Sequence, residues 1–176
     1  MNKANILVAP RELKDQVERA SRVLGCEASV ADRLAEDVTF CEINYGQGIS
    51  SWLQIATLNS IALGEVLRSS LRLRLPTGAK SLDVHFDPPV LFVLLARTLH
   101  NQESCGITWS CDTEMTYGSS PIVSVHLRSD TSPSQTTSKK TIDALSTGLK
   151  VSLHEWEQLN EIASQFLMSE EILDAS

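Results

Sequence analysis

The chain has no excess of positive charge, no long apolar run and no paired metal-ligating cysteines. Each absence removes a class of function. Lysine and arginine number 15 against 22 aspartates and glutamates, a formal net charge of −7. A nucleic-acid-binding face must be basic to meet phosphates, so no nucleic-acid partner is expected. The longest apolar run, Val90 to Ala96, is seven residues, whereas a membrane-spanning helix needs about 20. The Ile6–Ala9 stretch behind Lys3 is too short for the apolar region of a secretory signal. The expected setting is therefore soluble and cytoplasmic, with no membrane partner and reduced thiols. Cys26, Cys41, Cys105 and Cys111 contain no C-x-x-C pair, and none of His85, His100, His126 and His154 stands four residues from another. No structural metal and no cofactor are expected, and the cysteines read as small hydrophobes. There is no G-x-S-x-G and no local Ser-His-Asp or Cys-His signature.

What is present fits one globular domain over 1–176, with 42% apolar and 21% charged residues. Residues 1–66 read as helical. Pro10 suits the first turn of a helix to Leu24 whose apolar positions are Leu13, Val17, Ala20 and Leu24, and Gly25 stops it. Ser29 reads as the N-cap of a second helix, with Asp32 as a short capping-box carboxylate and Val30, Leu34, Val38 and Cys41 as its stripe. The two form an antiparallel hairpin. After the break at Asn44–Gly48, a third helix is expected from near Ser50 to about Gly64.

Residues 70–128 read as a sheet. Leu71, Leu73 and Leu75 alternate with Arg72 and Arg74, and Leu82, Val84 and Phe86 alternate with Asp83, His85 and Asp87, predicting a hairpin. Asp87-Pro88-Pro89 reads as cap and first turn of a buried helix from Val90 to Leu99. Strands follow at Ile107–Cys111 and Val123–Arg128. Residues 129–140, rich in Ser and Thr, read as a mobile surface loop. A last helix over 152–168 is capped by Ser152 and Glu155, with Trp156, Leu159, Ile162, Ala163, Phe166 and Leu167 facing the core. Helices, then β-β-α-β-β, then a helix describe an α+β fold with an antiparallel sheet covered on one face.

Alternation gathers Arg72, Arg74, Asp83, His85, Thr108, Ser110, Ser124, His126 and Arg128 on the wet face of that sheet. Of these, Arg72, Arg74, Asp83, His85, His126 and Arg128 are the candidate ligand-binding residues, suited to an anion between arginines and histidines. The competing reading pairs Arg72 and Arg74 with Asp83 across the hairpin and leaves plain solvated surface. Gly46-Gln47-Gly48 before a helix could present backbone N–H groups to an anion, or serve as a helix-to-helix turn. From Leu153 to Ser176 there are six acidic residues and no Lys or Arg. Glu157, Glu161, Glu170 and Glu171 are the candidate partner-binding residues there.

Two resemblances rest on these residues. The two-helix opening, the apolar middle helix before a Trp strand, and Gly148-Leu149-x-Val151 followed by Trp156-x-x-Leu159-x-x-x-Ala163 resemble a bacterial domain-of-unknown-function family, which implies no activity. Leu24-Gly25, Ala31-Asp32-x-x-Ala35-Glu36-x-Val38 and Gly46-Gln47-Gly48-Ile49 resemble the opening of the type-2 malate/L-lactate dehydrogenases. Those enzymes carry a catalytic His immediately before the second glycine. Gln47 stands there, and Gln exchanges no proton near neutral pH, so the resemblance argues against dehydrogenase activity. The expectation is a non-catalytic accessory subunit or protein-interaction domain whose partner is another protein subunit. The alternative is a small enzyme or anionic-metabolite-binding domain using the polar sheet face.

Overall fold

The computed structural model describes residues 4–57, 68–113, 116–130 and 139–174. Helix α1 (Pro10–Val23) starts at its proline and buries Leu13, Val17 and Ala20. It ends in a Schellman turn: Gly25, at φ 89°, donates to Arg22 O at 3.0 Å, and Cys26 donates to Ser21 O at 3.1 Å. Helix α2 (Ala28–Asn44) returns antiparallel against it. Glu27 occupies its N-cap with no side-chain cap bond, so Ser29 lies inside the helix rather than capping it. Helix α3 (Gly48–Ile55) follows after a three-residue corner, Tyr45-Gly46-Gln47. The expected continuation through Leu58 and Ile61 to Gly64 lies outside the described residues.

The expected strand at Leu71–Leu75 is absent. Ser69–Arg72 forms a short 3-10 helix, Leu73 is buried, and Leu71 stays 68% exposed. Strand β2 (Ser81–Leu91) is longer than expected and pairs with β4 (Pro121–Ser129), which in turn pairs with β3 (Ile107–Cys111), all antiparallel in the order β2-β4-β3. Asp87 therefore lies within a strand and caps no helix. The backbone explains why: Val90 and Leu91 pair with Ile122 and Pro121, and the amides of Phe92 and Val93 donate to Ser120 O at 2.9 Å and Gly118 O at 3.0 Å. Pro88 and Pro89, which have no N–H to donate, sit where the register shifts between His85 and Val90. The apolar run then passes through a 3-10 turn (Phe92–Leu94) into α4 (Ala96–Ser104).

Helix α5 (Lys139–Thr147) occupies ground expected to be loop at Lys139 and Lys140, while Ser129 ends β4. Residues 131–138 of that expected loop lie outside the described residues. Strand β5 (Leu149–Ser152) pairs antiparallel with β1 (Asn5–Val8), forming a two-stranded ribbon. Helix α6 (Leu153–Asp174) follows and packs along α1. The class is α+β, with six α-helices and two small antiparallel sheets among the described residues.

One apolar core joins these parts. It contains Leu13, Val17, Leu34, Val38, Trp52, Phe92, Leu99, Val125, Leu127 and Leu159, and the inner face of the three-stranded sheet covers one side with Val84, Phe86, Val125 and Leu127. The buried Trp52 indole donates to Ser21 Oγ at 2.9 Å, and Ser21 donates to Val17 O at 2.7 Å, so neither polar group is orphaned. A charge network fixes α4 to α2. Asp37, 3% exposed, accepts from Arg97 Nε at 2.6 Å, Arg97 also reaches Glu36 at 2.6 Å, and Lys14 of α1 joins Asp32 and Glu36. No helix among the described residues is long and apolar enough to cross a membrane.

Candidate functional site

The polar face of the three-stranded sheet is a grid set by strand register. Ser81, Arg128 and Thr108 share one row, and Asp83, His126 and Ser110 the next. His85 and Ser124 begin a third. Seven of the nine residues expected on this face, Asp83, His85, Thr108, Ser110, Ser124, His126 and Arg128, are therefore brought together. Arg72 and Arg74 are not. They lie before β2, outside the sheet, and the Arg72 guanidinium sits 5.3 Å from the ring centre of Phe86, a residue of the inner face. The expected Arg–Asp83 pairing is replaced by His126 Nδ1 and Asp83 Oδ1 at 2.6 Å.

The middle row places a carboxylate, an imidazole and a serine in the order used for nucleophile activation. Its surroundings differ from an active site in two respects. His126 and Asp83 are 46% and 68% exposed, so water screens the pair. Ser110 and His126 face each other across the ladder without a hydrogen bond among the described residues. Burial disfavours the thiolate at Cys26, Cys41 and Cys111, while Cys105 is exposed. Burial pushes Cys41 far up, and pushes Cys111 up to about 11.

The glycine corner before α3 is closed by the protein itself. Gly46 and Gln47 have φ of 76° and 60°. A Cβ on Gly48 would overlap the Val38 carbonyl and lie 2.9 Å from the Glu42 backbone nitrogen, so α3 starts in contact with α2 only because Gly48 has none. The Glu42 carboxylate accepts from Ile49 N at 3.0 Å and from Gly48 N. Burial holds the Glu42 carboxyl above its ordinary range, opposed by those two amides. The corner is thus a helix-to-helix turn, and the group that meets its helix-start amides is a side chain of the same fold. Gln47 accepts a hydrogen bond from the Ser119 hydroxyl.

Helix α6 buries Trp156, Leu159 and Ala163 and exposes Glu157 and Glu161. Phe166 packs beneath Arg22, 5.4 Å from guanidinium to ring centre. The side chains of Leu167, Glu170 and Glu171 lie outside the described residues.

A cleft of about 1080 Å³ lies where no sequence motif marks it. Two packed pairs of elements line it: the 3-10 helix at Ser69–Arg72 with β2, and α3 with the first turn of α6. Its apolar lining includes the buried side chains of Ile55, Phe86 and Val90, with Leu53, Pro88 and Pro89 beside them. Its charged lining is Arg68, Arg72, Asp87 and Glu155, with His154 next to the last. Among the described residues these four charges make no ion pair and no hydrogen bond; Arg72 has only the Phe86 ring. Glu155 stands where a capping-box carboxylate was expected, yet makes no bond back to Ser152 and lines the cleft instead.

Comparison of the chain with protein-family models, with curated proteins and with solved structures found no match.

Proposed function

We propose that the protein is a non-catalytic binding domain, an accessory subunit of a cytoplasmic assembly, that engages a partner protein through the cleft between the 3-10 helix, β2, α3 and α6. The observation that carries this reading is the cleft itself. Its volume, about 1080 Å³, stands near the top of the range of about 300–1,000 Å³ usual for small-molecule sites, and its lining joins apolar side chains to charges without an ion-pair partner among the described residues. The exposed residue Gln54 on α3 lines it and provides a way to block it. In the test, wild-type protein and Gln54→Trp are purified from the native host and co-purifying proteins are quantified. The expected result is a stoichiometric partner with the wild type that is lost from the folded Gln54→Trp variant. A partner retained equally by both, or none with either, overturns the reading.

A second reading places an anionic metabolite on the polar sheet face, favoured by Arg128, His126 and His85 standing in successive rows. Inorganic phosphate titrated against the histidine ring resonances tests it. Shifts confined to His126 and His85, with saturation, support it; unchanged resonances remove it.

A further inference from the structure

We draw no further inference here: the strongest candidate, the uncharged outer edge of strand β3 (Ile107–Cys111) at one end of the sheet order β2-β4-β3, carries nothing, because nothing in the structure shows what covers it.

Discussion

The carboxylate of Glu42 accepts the amide hydrogen of Ile49 at 3.0 Å, so the last full turn of α2 supplies the anion for the first turn of α3. The pair is enclosed, and burial, the largest influence, raises the Glu42 carboxyl above its ordinary range despite the two amides that favour the charge. Glu155, at the neighbouring start of α6, raises it further.

A raised carboxyl fixes the sign of its pH effect. The folded state holds the proton to a higher pH than the unfolded chain. This group's contribution to stability is therefore present below the unfolded pKa, and is lost as pH rises through the folded value. Urea unfolding of wild type and Glu42→Gln between about pH 4, near the unfolded glutamate value, and pH 7 tests it. The wild type is expected to lose stability relative to the variant across that interval. A constant difference, or the opposite slope, would show that the amides dominate over burial.

Gly48→Ala is expected to be severe. Its Cβ would overlap the Val38 carbonyl and crowd the Glu42 nitrogen, both backbone atoms that cannot rotate away. Overpacking of this kind costs about 1–3 kcal/mol or more. Gly78 offers the control. A Cβ there meets nothing within 4 Å, so Gly78→Ala pays only for its φ of 82°, about 1–2 kcal/mol. Thermal melts are expected to place Gly48→Ala well below Gly78→Ala.

The Asp37–Arg97 pair predicts a different kind of loss. Removing one partner of a buried pair strands the other charge, at about 3–5 kcal/mol. Arg97 keeps 30% side-chain exposure and a second partner in Glu36, so Asp37→Ala is expected near the low end, about 3 kcal/mol. Replacing both Asp37 and Arg97 by apolar residues of similar volume is expected to recover part of it. A double variant no better than Asp37→Ala in chemical denaturation would contradict that account.

These sites differ in how far the sequence reveals them. The polar grid was legible because β3, β4 and the first part of β2 alternate strictly, and alternation alone decides a face. Leu71, Leu73 and Leu75 alternate as well, yet no strand pairs with them and only Leu73 is fully buried. Pattern without a partner misplaced Arg72 and Arg74. Pro88-Pro89 signals a helix start as readily as a strand irregularity, and the choice rests on long-range bonds from Phe92 and Val93 to the turn before β4. The β1–β5 ribbon joins Asn5 to Ser152, and the cleft joins elements within residues 48–91 to the start of α6 at Leu153. Neither leaves a local signal. The Glu155 signal pointed to a cap, while its side chain lines the cleft.

Helix α6 separates the two ways in which this protein could meet a partner. Trp156 is 6% exposed and belongs to the core, whereas Glu157 and Glu161 face outward and lie apart from the cleft lining. Truncating a core Trp costs about 3–5 kcal/mol, so Trp156→Ala is expected to lower the melting temperature sharply in the isolated protein. Glu157→Lys with Glu161→Lys is expected to change stability by about 0.5 kcal/mol or less per site, as surface substitutions do. If recognition runs through the cleft, this double reversal keeps the partner that Gln54→Trp loses, and ionic strength changes both alike. If the acidic face is the docking surface, the pattern inverts: the reversal loses the partner, most strongly at low salt where exposed charges are least screened, and Gln54→Trp keeps it. Co-purification of the two folded variants side by side, at low and high salt, distinguishes the cleft from the acidic face.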